Sequence, residues 1–298
     1  MAALWMLAAG FMFACMGVLV KLAAVYFSNT ELVFYRSLVG VVATFMMMRI
    51  YSIPLATAYW KIHCWRGLSG LGGVLLFFYC ILQLPLATAI SLNNTWPLFL
   101  VFLAVMLLKE NCNWRLALAV LLGFLGVILL LRPTLNEGQW DMALIGLGSG
   151  LFAGVAHFNV KQLSALGESD WRIVFYFALM CTVTTGAWLA FTTFSPVNTE
   201  GLMLALGVGV TATLAQLALS RAHRGSNTVV VGTLAYSSVL FAGLLDLFFW
   251  NAWLPVSAWL GMGLIVLGGL VSIRVMPAAV RKPGCIPETA RIKTLFAT

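Results

Sequence analysis

From residue 2 to residue 275 the chain is a succession of long apolar runs joined by brief polar stretches. Ten runs approach the roughly 20 residues that an α-helix needs to cross a bilayer. They occupy residues 2–22, 31–48, 66–83, 86–107, 114–131, 142–162, 172–193, 201–220, 228–249 and 256–275. Inside lipid, backbone N–H and C=O groups find partners only within their own helix or a closed barrel. Runs of this length therefore become helices. The short connections predict antiparallel neighbours. Runs 66–83 and 86–107 are separated only by Leu84 and Pro85, so that turn must be tight. Of the 298 residues, 62% are hydrophobic and 9% charged, where a soluble domain carries about a quarter charged. The expected fold is an all-α polytopic membrane protein of ten transmembrane helices.

Lysine and arginine set the direction of insertion. With the amino terminus in the cytoplasm, only Lys21, Arg36 and Arg132 of the 17 basic residues fall on the outer side. The rest, Arg66 among them, fall on inner connections and the tail. Both termini are thus expected to be cytoplasmic, in the cell membrane (the inner membrane if the source is bacterial). Trp60, Trp65, Trp114 and Trp171 lie near the inner boundary and Trp140, Trp250 and Trp253 near the outer one, as interfacial belts do. The longest connection, IYSIPLATAYWKIHCW at 50–65, reads as a short interfacial helix. Residues 277–298 are basic and proline-broken and read as a disordered cytoplasmic tail. The first run lacks a basic n-region and is too long for an h-region, so it reads as a span rather than a cleaved signal. A net charge of +8 follows from this topology. No basic, aromatic-studded domain exists to hold a nucleic acid. The six cysteines show neither CxxC nor metal-ligand spacing.

A shift of about 140 residues partly matches the chain to itself. Ala3, Leu4, Leu7, Gly10, Val20 and Lys21 meet Ala143, Leu144, Leu147, Gly150, Val160 and Lys161. VFYRSLVG at 33–40 is echoed by VFYFALMC at 174–181. Ordered matches of this kind mark an internal repeat. Five spans per half is an odd number, so the second half enters the membrane from the opposite side. Two inverted halves are a common plan of secondary transporters, because exchanging their conformations opens one midplane site to either face. The expected units are 1–135 and 136–276, each a five-helix repeat, followed by the tail.

The stretches FYRSLVG (34–40), LPLATAISLNNTWPLFLVFLAVMLLKE (84–110) and LAVLLGFLGVILLLRP (118–133) carry a likeness to a known family. In their order, and with the repeat, they resemble EamA-type transporters of the drug/metabolite transporter superfamily over about residues 2–275. The resemblance implies a ten-helix bundle with a cavity between its halves and alternating access for small polar or amphipathic metabolites, such as amino acids, nucleotide sugars or S-adenosylmethionine. The second half departs from the pattern. Phe177 stands where the first half has Arg36, and Ser237 stands near the position of Pro97. Function is therefore expected to be unequal between the halves.

Polar residues within the spans are the candidate site, because charge or hydrogen-bonding groups in hydrocarbon are expensive. Arg36 has two readings. It is an anion clamp that uses its planar donor fork, set at the outer gate, or it is a structural partner for Glu31 or for helix-end carbonyls. Asn93, Asn94 and Trp96 fall near mid-depth beside Pro97, which removes a backbone hydrogen bond and frees a carbonyl near Asn93. Freed backbone at this depth belongs beside a cavity or another helix. His157 is open to a proton-shuttling role or to interhelical bonding, and Gln216 to cavity lining or packing. Tyr79 and Tyr236 offer amphipathic rings. Lys21 and Lys161 read as snorkelling anchors. The site is assigned to Arg36, Tyr79, Asn93, Asn94, Trp96, His157, Gln216 and Tyr236, between helices 1–5 and 6–10 that rock on Gly70, Gly72, Gly73, Gly207 and Gly209.

No Asp or Glu falls near the centre of a span, and Asp246 lies close to the outer end of the ninth. This argues against a carboxylate-driven proton antiporter. No GxxxxGK[ST] loop or HExxH pair occurs. The chain is expected to be no enzyme and to need no metal or other cofactor. It is expected to work as monomer or homodimer on a small-molecule substrate in a lipid bilayer. The competing classes are an intramembrane enzyme acting on a lipid-linked substrate and a non-transporting scaffold.

Overall fold

The computed structural model describes residues 2–96, 98–99, 122, 125–126, 129, 140–192, 194–224, 234–235, 237–251 and 255–275. The described residues are helical without strands. Helices α1 (Ala2–Ala23), α2 (Asn29–Ile50), α3 (Trp60–Gln83) and α4 (Leu86–Asn93) are followed by α5 (Trp140–Ala165), α6 (Asp170–Leu189), α7 (Thr199–His223), α8 (Ser237–Trp250) and α9 (Val256–Val275). Six of these, α1, α2, α3, α5, α6 and α7, are long and apolar enough to cross a bilayer, and α8 is a shorter apolar helix. Most of the expected fifth span, 114–131, and the tail, 277–298, lie outside the described residues.

Local chemistry sets several helix ends. Ser28 and Glu31 form a reciprocal capping box that starts α2, satisfying two N–H groups that a helix start leaves open. Asn198 accepts from Gly201 N at 2.7 Å to start α7. The turn after α5 uses Gly167 at φ +80°, a region that only glycine enters freely.

Two boundaries differ from expectation. The connection after α2 spans only residues 51–59, because α3 begins at Trp60. Trp60 and Trp65 are exposed on α3 itself and not on a separate interfacial helix. Hydropathy alone cuts α3 short because Lys61, His63 and Arg66 count as polar, yet His63 and Arg66 turn inward and are buried. The second difference is in the 86–107 run. Its helix breaks at Asn93, turns through Asn94 and Thr95, and resumes helical backbone at Trp96. Thr95 N and Leu98 N reach back three residues, to Leu92 O and Thr95 O at 3.1 and 2.9 Å. Pro97, which motivated the expected kink, lies outside the described residues.

Helix packing follows small residues. Helices α1 and α7 run antiparallel, with Phe27 beside Gly201, Leu19 beside Gly207 and Trp5 under Arg221. Helices α5 and α3 do the same, with Phe152 against Gly72 and Gly73, Gly148 against Leu76 and Met142 O against Cys80 Sγ. Helices α2 and α6 meet antiparallel through Phe34–Gly186, Gly40–Ala178 and Phe45–Phe175. Helix α8 lies beside α1, and α4 beside α5, each in parallel: Gly10 touches Ser237 while Phe11 meets Phe241, and Gly146 touches Leu92 while Gly150 touches Thr95. Close approach of this kind is what small residues permit where lipid supplies no hydrophobic drive.

Polar clasps close the two ends of the bundle. At one end, buried Glu168 accepts from Arg172 Nη1 at 2.7 Å and from Thr57 Oγ1 at 2.5 Å. Arg172 also donates to Pro54 O, and Arg224 pairs with Asp170 at 3.2 Å. At the other end, Glu31 accepts from Ser195 N at 2.6 Å and Ser195 Oγ at 2.9 Å. Glu31 is thus occupied by the α2 cap and the α6–α7 connection, which removes it as a partner for Arg36. Asp246, expected near a span end, is fully buried at 0% exposure and accepts from Ala87 N at 2.7 Å, capping α4. Lys21, read as a snorkelling anchor, places its Nζ 4.6 Å from the ring centroid of Trp250, a tryptophan of the expected outer belt.

Candidate functional site: a basic, aromatic cavity at the helix break

A cavity of about 100 Å³ opens among α1 through α7 and the start of the 237–250 helix. It has room for a few waters and falls short of the roughly 300 Å³ at the lower end for drug-sized ligands. Each helix presents one face to it. Met6, Gly10 and Phe13 come from α1, Arg66, Gly70 and Gly73 from α3, and Ala153, Ala156 and His157 from α5. These are the i, i+3, i+4 and i+7 spacings of a single helical stripe.

Of the expected site residues, Arg36, Asn93, Asn94, Trp96, His157 and Gln216 line the cavity together. Tyr79 does not; it is 37% exposed on the other side of α3. Its position, six residues beyond the cavity-lining Gly73, turns it away from the α3 stripe. Tyr236 lies outside the described residues. Arg36, read as an outer-gate residue, lies in the cavity wall at 5% exposure, with its Cζ 5.4 Å from the Phe177 ring and 5.8 Å from that of Phe78.

Arg66 is the residue that inner-boundary counting misplaced. It is 4% exposed and lines the cavity. Its Nη2 donates to Gln216 Oε1 at 3.1 Å, and its Cζ sits 4.0 Å from the Phe177 centroid. Gly70, one turn on, makes room for this: a Cβ there would collide with Arg66 Nη1 and with Phe177 Cε2. The signal in the sequence was the spacing Arg66, Gly70, Gly73, an arginine on the same helical stripe as two glycines.

The helix break supplies the polar wall. Asn93 Nδ2 donates to Ser149 Oγ at 3.3 Å and Asn94 Nδ2 to Ser238 Oγ at 2.8 Å. Both serines give their single proton to a helix carbonyl, Gly146 O and Ala235 O, at 2.7 Å. A hydroxyl that has spent its proton can only accept, which fixes the amide N–H groups toward the serines. The two adjacent amides therefore serve two different helices, α5 and α8. Trp96 stacks on His157 with centroids 4.3 Å apart and planes 19° apart, and the His223 ring stands 5.8 Å beyond. From sequence His223 reads as a loop residue, whereas it closes α7 and is buried; Ser149 and Ser238 went unremarked because only the fold brings them to the break.

The arrangement can bind a small molecule by stacking, amide hydrogen bonds and positive charge. Comparison with known proteins follows the same line. A family model described as the EamA-like transporter family matches the chain twice, over residues 1–132 and 140–274. The pseudopaline exporter CntI of Pseudomonas aeruginosa (strain UCBPP-PA14) is 27% identical over 267 residues, covering 89% of this chain and 93% of that protein. The riboflavin transporter of Vibrio cholerae is 27% identical over 275 residues, covering 89% and 90%. An S-adenosylmethionine uptake transporter of Rickettsia bellii is 27% identical over 150 residues, covering 47% and 51%. One solved crystal structure shares the fold at a TM-score of 0.68 and 15% identity, covering 92% of this chain and 97% of its own.

Proposed function

The chain belongs to the EamA-like transporter family, and from that premise we propose that it is a secondary, ATP-independent transporter working by alternating access. Its cargo is a small polar or amphipathic metabolite of amino-acid or nucleoside-like size. The architecture is ten spans in two inverted five-helix repeats, 1–135 and 136–276, in the cell membrane with both termini cytoplasmic.

One observation carries this reading: the cavity lies between the first and second halves of the chain and takes its lining from both. Helix packing supports the repeat. Exchanging α1 with α5, α2 with α6, α3 with α7 and α4 with α8 turns α1–α7 packing into α5–α3, α1–α8 into α5–α4, and α2–α7 into α6–α3. The α2–α6 and α4–α8 contacts map onto themselves. The twofold match of one family model supports it as well. Inverted halves of near-equal energy can rock about one site. The Glu168 clasp and the Glu31 and Asp246 clasps lie at opposite ends and would serve as the two gates. A small cavity closed by clasps must widen as the halves part.

Reconstitution into liposomes tests the proposal. Vesicles preloaded with unlabelled metabolites should accumulate labelled substrate by exchange without ATP, and Asn93→Ala should change the apparent affinity. Absence of protein-dependent flux with any metabolite would return the chain to the scaffold reading, and unchanged kinetics in Asn93→Ala would remove that residue from the site.

A further inference from the structure

We propose that the cavity receives an organic anion whose oxyanion group, carboxylate or phosphate, is bracketed by Arg36 and Arg66. This rests on the transporter reading of the same cavity and adds the charge class of the cargo. Both guanidiniums are buried to 5% exposure or less, and both line one cavity. Among the described residues, Arg36 Nε and Arg66 Nε and Nη1 have no hydrogen-bond partner. Among the described residues, the one hydrogen bond of the Arg66 guanidinium, to Gln216, is to a neutral acceptor.

No described carboxylate lines the cavity. Glu31 serves Ser28 and Ser195, Glu168 serves Arg172 and Thr57, Asp170 serves Arg224, and Asp246 caps α4. Asp141 and Glu200 are exposed. Arginine does not relieve its burial by shedding a proton. Burying two such charges without an acid is unfavourable unless something else supplies the anion. The fork of donors matches an oxyanion in two-point contact, and the shared Phe177 ring holds both forks in one place. A cation entering the same space would meet like charge and leave the donors unpaired, which is how a site rejects the wrong class. Trp96, Phe13 and Phe77 remain as walls for an apolar or planar remainder.

The test uses the purified full-length chain in detergent and soluble metabolites of the expressing cells, divided on ion exchangers into anionic, neutral and cationic fractions. The anionic fraction should raise the melting temperature in a dose-dependent way. Its half-saturating dose should rise at least about tenfold, 1.4 kcal/mol in binding, in Arg36→Gln and in Arg66→Gln. Exposed Arg49→Gln should respond as the parent chain does. Should a glutamine variant fail to fold, Arg66→Lys keeps the charge and loses the fork, and its half-saturating dose should fall between parent and a tenfold loss. Phosphatase treatment of the anionic fraction separates the two sources: a surviving shift assigns a carboxylate, a lost one a phosphate ester. Stabilisation by the cationic or neutral fraction alone, or anion binding undiminished in both arginine variants, overturns the proposal while leaving transport intact. A chain that no fraction stabilises overturns it together with the cavity's role as the transport site.

Discussion

Gly70→Ala adds one methyl group and should cost the cavity its Arg66. A Cβ at residue 70 would overlap Arg66 Nη1 and come within 2.5 Å of Phe177 Cε2. The guanidinium is the far end of a flexible chain and moves more readily than the ring, so the fork is displaced. The displacement forfeits a charged hydrogen bond to Gln216, about 1.5–3 kcal/mol, and a desolvated cation–π contact of about 2 kcal/mol. Alanine returns about 1 kcal/mol of helix propensity. A relocated Arg66 recovers part of its loss elsewhere, which leaves a net destabilisation of about 1–3 kcal/mol. The melting temperature should therefore fall by a few degrees, and the half-saturating dose of the anionic fraction should rise at least about tenfold. Gly263→Ala is the matched control, since no described residue lies within 4 Å of a Cβ there; it should be neutral or slightly stabilising with binding unchanged. Melting curves in detergent, with and without the anionic fraction, read both quantities. A Gly70→Ala protein that melts and binds like the parent would refute the reasoning, because Arg66 could not then be held where its contacts place it.

The other expectations concern the clasps and the stack. Glu168→Gln weakens a buried ion pair to Arg172 at 2.7 Å; breaking such a pair costs about 3 kcal/mol, and an unchanged melting temperature would show that the clasp is not structural. Asp246→Ala leaves the buried Ala87 N–H without its acceptor, a loss of about 1–3 kcal/mol, whereas Asp246→Asn retains an oxygen and should lose less; equal losses in thermal unfolding would disprove the cap. Trp96→Ala removes the ring stacked on His157 at 4.3 Å, worth about 0.5–1.5 kcal/mol, and uptake affinity should fall while Trp96→Phe stays closer to the parent.

Span length made most of the helices legible before any coordinates. The boundaries of α6 and α9 differ from the apolar runs by only a few residues, because lipid leaves a helix no other way to satisfy its backbone. Arg66 was illegible for a related reason. A hydropathy window treats arginine as a boundary, and whether it turns to water or to a cavity depends on Phe177 and Gln216, which arrive from α6 and α7. The break in α4 was half legible. A proline at 97 leaves the carbonyl of residue 93 without its donor, so loosening one turn earlier follows from sequence. That Thr95 Oγ1 then donates to Leu92 O at 2.6 Å, and that the two amides divide between Ser149 and Ser238, are facts of packing. Asp246 shows the same limit. Its place in a run is visible, but the helix end it caps lies 159 residues away in sequence.

The repeated Val-Phe-Tyr segments carry an arginine in one copy and a phenylalanine in the other, and the contact between α2 and α6 supplies a reason. Arg36 and Phe177 occupy matching places in the echo, and the fold sets them against each other with Cζ 5.4 Å from the ring centroid. A position that meets its own counterpart cannot carry a charge in both copies without confronting like with like. At that spacing two guanidiniums repel by about 3 kcal/mol at an effective dielectric of about 20. Replacing one with phenylalanine turns the repulsion into an attraction of about 2 kcal/mol. The same ring then takes Arg66 at 4.0 Å, so one aromatic plane from the second half anchors two charges from the first. The two echoed segments therefore meet with a charge on one side only, and both buried arginines of the cavity share the ring that stands on the other.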